Sequence, residues 1–330
     1  MGLGAFSGHW WTLAPHVRGF LSDATGRTRA KGEPTTITVE DPSRGSVPLR
    51  CAWHPADPDT VVVVVHGLGG SADSGYMHRA VRACAQAGVS CLRVSMRGAA
   101  LDGIDFHHAG LWSDLEVVFN TDFVRRARRR FVLGYSLGGH LALGLAIHRP
   151  RLIHACAAVC SPLDLDVGAL ALDSLRPTIY RRHVLNGLKE MYCVPNATHA
   201  MPSPAADVAK VDTVRAFDSL TIVPRFGFKD VSDYYAQASV GPRLAELEAP
   251  SLYVQAVHDP MVPAHSTEPS LSTASPALTV VRVDPGGHVG FPASMRLGTH
   301  DGPALPHAPA GLEAQCVAWL LAQPAGARSE

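Results

Sequence analysis

Short runs of β-branched and other apolar residues alternate along the chain with longer segments of helical periodicity. The predicted strands lie at 60–67, 90–98, 130–134, 154–161, 251–257 and 278–284. Strands that are apolar at nearly every position are covered on both faces, and strands that alternate with helices are usually parallel. The pattern therefore predicts an α/β fold with a mostly parallel central sheet flanked by helices.

The segments between these strands have the spacing of amphipathic helices. The predicted helices lie at 76–87, 111–127 and 137–149. From about residue 161 to residue 231 the alternation breaks, and helical fragments such as 178–193 occur among Pro-rich loops. Because structureless connections of this length are uncommon in compact domains, we expect a single domain over residues 1–330 with a helical cap inserted at 161–231.

The composition predicts a sizeable apolar core and no net charge. Hydrophobic residues make up 46% of the 330 residues, and 29 Lys and Arg residues balance 29 Asp and Glu residues. A neutral chain has no general attraction for nucleic acid, so we expect no nucleic-acid partner. The seven cysteines form no C-x-x-C pair, which favours reduced thiols in a cytoplasmic protein and argues against a zinc site.

The sequence gives little support for membrane insertion. Its start lacks the basic segment and unbroken apolar stretch of a secretory signal, and the apolar run at 61–65 is too short to cross a bilayer. Residues 5–21 are rich in aromatic side chains but are interrupted by His, Pro and Arg. We expect this segment to pack on the domain, with peripheral contact to a membrane surface as the alternative.

The clearest candidate for chemistry is Ser136, in the sequence GYSLG at 134–138. This fits G-x-S-x-G, a short pattern that is weak by itself but here falls between a predicted strand and a predicted helix, as a nucleophile elbow requires. At such a sharp turn the serine takes a strained backbone with positive φ, and the positions two before and two after it must be small. A plain strand-to-helix turn is the alternative interpretation.

The segment HGLGGS at 66–71 follows the first predicted strand and is a candidate oxyanion hole. Acyl transfer passes through a tetrahedral oxyanion that needs two fixed N–H donors. We expect these to be the backbone N–H groups of Leu68 and of Leu137, the residue after the candidate nucleophile. A phosphate-binding loop is the alternative, but the segment lacks the P-loop lysine and the third spaced glycine of a dinucleotide fingerprint.

A serine hydroxyl becomes a good nucleophile only when a base takes its proton. Among the 17 histidines, His288 follows the last predicted strand in a glycine-rich loop and is the candidate base. Asp259 directly follows the preceding predicted strand and is the candidate acid that orients the imidazole. Asp164 is the rival acid.

These segments occur in the order found in a known family. The stretches HGLGGS at 66–71, FHHAGLWSDL at 106–115, GYSLGGH at 134–140, HDPMVP at 258–263 and GGHVGF at 286–291 resemble α/β-hydrolases of the YheT-like and ABHD1/ABHD3 type. The resemblance implies an α/β-hydrolase fold and a carboxylic-ester hydrolase whose triad is Ser136, Asp259 and His288. Members of the family act on short- to medium-chain acyl esters and in some cases on phospholipids, and the resemblance implies neither a cofactor nor a metal.

Three departures from the family pattern affect the expected substrate more than the expected chemistry, and one of them is AALDG at 99–103, which follows MRG where the family usually has a Cys-containing run. His140 stands where Asn usually follows SLGG, and His258 stands where a second acidic residue commonly precedes the triad aspartate. A small-molecule acyl ester is the expected substrate. Two further hypotheses stay open: acyl transfer to an alcohol other than water, and a catalytically silent hydrolase fold that binds a ligand.

Overall fold

A computed structural model of the chain describes residues 7–12, 31–174, 179–194, 200–298 and 308–324. Its centre is an eight-stranded sheet with the order β1-β2-β4-β3-β5-β6-β7-β8. The strands are β1 (Glu33–Asp41), β2 (Gly45–His54), β3 (Asp57–Val65), β4 (Val89–Ser95), β5 (Arg129–Tyr135), β6 (Ala155–Val159), β7 (Ser251–Ala256) and β8 (Leu278–Val283).

The sheet is parallel from β4 through β8, and β1 and β2 add an antiparallel hairpin at one edge. All six strands predicted from the sequence are present, so the predicted mostly parallel sheet is confirmed. The hairpin is not among the predicted strands, because its residues alternate with Thr, Glu and Arg and form no continuous apolar run.

Helices cover both faces of the sheet, as the sequence predicts. A helical segment lies at residues 7–12. The α-helices after it are α1 (Gly75–Gln86), α2 (Trp112–Phe119), α3 (Asp122–Arg125), α4 (Leu137–His148), α5 (Leu165–Ser174), α6 (Ile179–Tyr192), α7 (Ala205–Val208), α8 (Val214–Leu220), α9 (Ile222–Phe226), α10 (Val231–Ala238), α11 (Ala264–Leu271) and α12 (Leu312–Ala322). The single helix predicted at 111–127 is two helices, because the chain turns at Asn120 and Thr121, where the Thr121 hydroxyl donates to the Val118 carbonyl at 2.7 Å.

The apolar core has one layer on each side of the sheet. Side chains of α2 and α4 pack on one face, and side chains of α1 and α12 pack on the other. The sheet strands between these layers are buried along their length; every residue from Val61 to Val65 is at most 1% exposed. Burial on both faces explains why this strand is a run of valines rather than an alternating sequence.

The helices α5 to α10 lie between β6 and β7 and form a third apolar cluster with residues near the start of α4. They extend to Ala238, beyond the predicted end of the insertion at residue 231. The buried His140 ring places Nδ1 2.8 Å from the Pro162 carbonyl oxygen and Nε2 2.8 Å from that of Ala238. One side chain of α4 therefore contacts both ends of the inserted segment. That the segment acts as a cap remains a prediction.

A buried ion-pair network also ties this segment to the sheet. The Arg97 guanidinium donates to Asp114, Asp105 and Asp41 at 2.6 to 2.9 Å. Arg225 of α9 donates to the same Asp105 carboxylate at 2.7 and 2.9 Å. Because these charges are paired inside the protein, breaking one pair leaves a buried unpaired charge. The network therefore fixes α9 relative to the loop after β4.

Candidate active site

Ser136 lies at a sharp turn between β5 and α4. Its backbone has a φ of 51°, the positive value that the sequence predicts for a serine at this position. The turn leaves no room for a side chain at the flanking glycines: a Cβ on Gly134 would lie 2.2 Å from the Gly138 carbonyl oxygen, and one on Gly138 would lie 2.4 Å from the Val65 carbonyl oxygen. The glycines are thus required by close backbone packing.

The structure brings Ser136, His288 and Asp259 together from three distant parts of the chain. The Ser136 hydroxyl lies 3.0 Å from His288 Nε2. On the other side of the ring, His288 Nδ1 lies 2.9 Å from Asp259 Oδ2 and 3.2 Å from Oδ1. In this arrangement Nδ1–H donates to the carboxylate, and Nε2 is left to accept the serine proton.

The loop after β7 holds the Asp259 carboxylate in place. Asp259 is 3% exposed, and its Oδ1 accepts hydrogen bonds from the backbone N–H groups of Met261 at 2.8 Å and Val262 at 3.0 Å. The rival acid has a different environment: Asp164 Oδ1 accepts from the backbone N–H of Val167 in the first turn of α5. The carboxylate that contacts His288 is therefore that of Asp259.

The loop after β3 lies against the serine. A Cβ on Gly67 would lie 3.0 Å from Ser136 Cβ, and the Gly70 N–H donates to the Gly67 carbonyl at 3.0 Å to close a tight turn. Leu68 is inside this turn and lines the same cavity as Ser136 and Leu137. Leu137 is the first residue of α4, and N–H groups in the first turn of a helix have no partner within it.

His66 connects this loop to the chain that follows β4. Its Nδ1 donates to the Gly67 carbonyl at 2.8 Å, and its Nε2 accepts from the Met96 N–H at 3.0 Å. Burial lowers the pKa of His66 to about 3, so the ring stays neutral and can keep both bonds.

A cavity of about 570 Å³ extends from Ser136 beneath the helices between β6 and β7. Leu165 and Leu172 of α5 and Ile179 and Tyr180 of α6 line it. Three other apolar residues of the same helices do not line it: Leu185 and Met191 are buried among the helices themselves, and Leu170 is 62% exposed.

Comparison with known proteins decides the family. A family model described as the alpha/beta hydrolase fold matches residues 60–292. The chain belongs to the α/β-hydrolase fold family. This hydrolase is 30% identical over 280 residues to the Escherichia coli (strain K12) protein YheT, which is named as an esterase, and the match covers 80% of this chain and 81% of YheT.

Two other similarities agree with this assignment. The hydrolase is 25% identical to the monoacylglycerol lipase of Saccharomyces cerevisiae, over 82% of this chain and 66% of the lipase. Its fold matches that of the Pyrococcus furiosus esterase Pf2001 with a TM-score of 0.53 and 14% identity, over 78% of this chain and 85% of that one. None of the hydrolase's described helices is long and apolar enough to cross a membrane.

One group of potential metal ligands in the described part of the hydrolase coincides with the residues already named. Cys160, Asp259 and His288 offer ligand atoms that lie within 4.8 Å of one another. Two of them are the carboxylate and imidazole joined by the hydrogen bonds above, and burial raises the pKa of the Cys160 thiol well above its usual value. A neutral thiol is a poor metal ligand, so these residues fit a hydrogen-bonded acid–base pair better than a metal centre.

The wall of the cavity contains one carboxyl group whose titration can be tested. Burial raises the pKa of Asp218 to about 7, although the Tyr235 hydroxyl donates to its Oδ2 at 2.7 Å and opposes the shift. The folded hydrolase therefore keeps a proton that the unfolded chain, with an ordinary pKa near 3.8, gives up. The contribution of this proton to the free energy of unfolding is at its maximum below about pH 4 and is lost as the pH rises towards 7.

We expect the free energy of unfolding of Asp218→Asn not to fall with pH in this way, because the amide cannot ionise. Between pH 5 and pH 8 the free energy of unfolding of the wild type should fall by about 3 kcal/mol more than that of the variant, as measured by urea denaturation. Asp207→Asn, at an exposed carboxylate, is the control and should keep the wild-type dependence. Equal pH dependence in Asp218→Asn and the wild type would contradict the prediction.

The site also includes a contact that the sequence does not indicate. In the N-terminal helical segment, residues 7–12, the Thr12 hydroxyl lies 2.8 Å from the backbone nitrogen of His288. The same segment places His9 Nδ1 2.7 Å from the Tyr180 hydroxyl of α6. The described part of the aromatic N-terminal region thus packs on the domain, as expected. No local motif marks Thr12, because its partner is 276 residues away.

Proposed function

We propose that the chain is a serine-dependent carboxylic-ester hydrolase that acts on short- to medium-chain acyl esters through an acyl-enzyme. The observation that carries the proposal is the continuous hydrogen-bond chain from Ser136 through His288 to Asp259 at one end of an apolar cavity. Such a chain activates a hydroxyl, orients its base and stabilises the imidazolium that forms.

In the first half of the reaction, Ser136 Oγ attacks the ester carbonyl carbon while its proton moves to His288 Nε2. The carbonyl oxygen becomes an oxyanion, which the N–H groups of Leu68 and Leu137 bind. The positive end of α4 stabilises the same charge. The ester C–O bond then breaks, and His288 gives its proton to the departing alkoxide, so an alcohol leaves and the acyl group remains on Ser136.

In the second half, a water molecule replaces the alcohol. It gives a proton to His288 Nε2 as its oxygen bonds to the acyl carbon, and the oxyanion forms again in the same place. The Ser136–acyl bond breaks, the serine recovers its proton from His288, and the carboxylic acid leaves. Asp259 stays ionised throughout and holds the imidazolium by its Nδ1–H.

The cavity supports an acyl chain as the part of the substrate bound next to Ser136. Its walls are largely side chains of Leu, Ile, Val, Phe and Tyr from α5, α6 and α8, which form a cap over the site in this proposal. A volume of about 570 Å³ lies within the range of small-molecule sites, which are mostly apolar with a few placed polar groups. The lipase and esterase names of two relatives agree with an ester substrate.

A series of p-nitrophenyl esters with acyl chains of two to sixteen carbons tests the proposal. We expect kcat/KM to rise with chain length while each added CH2 is buried in the cavity, by up to about fourfold per CH2, and then to fall when the chain outgrows it. Release of free acid, measured beside release of p-nitrophenol, distinguishes hydrolysis from transfer to an added alcohol. Protein treated with a fluorophosphonate is the blank, and the absence of any hydrolysis above it would overturn the proposal.

A further inference from the structure

The N-terminal helical segment, residues 7–12, lies between the two loops that hold the acid and the base. Gly8 packs directly on the first loop: a Cβ there would lie 1.8 Å from the His258 carbonyl oxygen. Gly287 packs on the segment from the second loop: its Cβ would lie 2.2 Å from the Gly8 carbonyl oxygen and 2.6 Å from Thr12 Oγ1. The contacts with the His258 and Gly8 carbonyl oxygens are backbone contacts that leave no room for a side chain at Gly8 or Gly287, so the segment and the loops form one tightly packed unit.

Thr12 connects the parts of this unit through its hydroxyl. The hydroxyl donates to the Gly8 carbonyl at 2.8 Å, and its oxygen accepts the backbone N–H of His288 at 2.8 Å. Thr12 is 4% exposed and His288 is 7% exposed, so water does not readily replace these bonds. A buried N–H without an acceptor is costly, and the Thr12 oxygen therefore fixes the backbone from which the imidazole extends.

The loop that carries His288 needs such support. It follows the end of β8 and contains little regular structure beyond the bridge between Gly287 and Gly290. Val289, which directly follows His288, has a φ of 49°, a strained conformation for a β-branched residue. Strained conformations persist where surrounding contacts hold them, and the Thr12 bond is a contact to the residue immediately before.

We propose that Thr12 is a positioning residue for His288, acting through the backbone of the base and not through the substrate. The inference rests on the proposed function, since His288 is the base there. Loss of the Thr12 hydroxyl frees the loop, moves Nε2 away from Ser136 and slows every proton transfer. A displacement of about 1 Å in such a site lowers the rate by up to about 100-fold.

The test compares Thr12→Val, which removes the hydroxyl at nearly constant volume, with Thr12→Ser, which keeps it. In the full chain we expect Thr12→Val to lower kcat for a p-nitrophenyl ester about 10- to 100-fold with little change in KM. The rate constant for reaction with a fluorophosphonate should fall by the same factor, because that reaction uses the same base. Thr12→Ser should recover most of the wild-type rate.

Trp10→Ala is the matched control, because Trp10 is in the same segment but 58% exposed, and it should keep the wild-type kcat. Wild-type kcat in Thr12→Val, or equal losses in Thr12→Val and Thr12→Ser, would overturn the proposal. If Thr12→Val does not fold, as judged by its melting temperature, Thr12→Ala replaces it with the same expectation. An inactive wild type would instead count against the proposed function, so the two failures are distinguishable.

Discussion

Ser136→Ala is expected to lower kcat for ester hydrolysis about 10⁶-fold, the effect of removing the nucleophile from a serine hydrolase. The side chain is the only part of the residue that takes part in the proposed reaction, and alanine keeps the Cβ of serine, so the backbone strain at the positive φ of 51° stays the same. The tight contacts of Gly134 and Gly138 are unaffected, so the variant should fold with a melting temperature close to that of the wild type.

The measurement is labelling by a fluorophosphonate followed by mass spectrometry of the intact protein. The wild type should gain one phosphonyl group, at Ser136, and Ser136→Ala should gain none. Ser272→Ala, at an exposed serine that ends α11, is the control and should label like the wild type. Labelling of Ser136→Ala at the wild-type rate would show that the nucleophile is a different residue.

Asp259→Asn is expected to lower kcat about 10⁴-fold. The amide oxygen can still accept the N–H groups of Met261 and Val262, as the carboxylate does at 2.8 and 3.0 Å. The NH2 group then faces His288 Nδ1 and makes that nitrogen the acceptor. Nε2 carries the proton in this tautomer, and it cannot take another from Ser136.

The matched control for this variant is Asp164→Asn. Asp164 caps the start of α5 by accepting from Val167. The Asn oxygen can accept the same bond, so the replacement should change the free energy of unfolding by less than about 0.5 kcal/mol and leave kcat unchanged. Steady-state kinetics with a p-nitrophenyl ester and urea denaturation measure the two quantities. The reverse result, with kcat lost in Asp164→Asn and kept in Asp259→Asn, would make Asp164 the acid.

The predictable parts of this molecule are those that local sequence controls. A run of valines such as Val61 to Val65 is stable inside a sheet that is covered on both faces. The glycines around Ser136 allow a tight turn that residues with a Cβ cannot form. Because parallel strands end at one edge, side chains that directly follow β5, β7 and β8 are brought near each other. The positions of Ser136, Asp259 and His288 follow from that rule.

The parts that were not predicted depend on distant partners. The β1–β2 hairpin has polar residues at alternate positions, and it joins the sheet because β2 pairs with β4. Thr12 has an ordinary sequence environment and becomes part of the site only through a bond to His288. Leu170 shows that burial also depends on distant packing: it is an apolar residue of α5, yet the packing of that helix leaves it 62% exposed.

His140 has a consequence for how proteins of this kind diversify. Its ring contacts the Pro162 and Ala238 carbonyl oxygens, so a segment of more than seventy residues departs from and returns to the scaffold at a single pinned point. Such a segment can change in length or sequence between these ends while the scaffold beneath it is kept, provided that the Arg225–Asp105 ion pair is kept or that both of its members are replaced. New specificities can then arise by exchanging the segment, without rebuilding the machinery that breaks the bond.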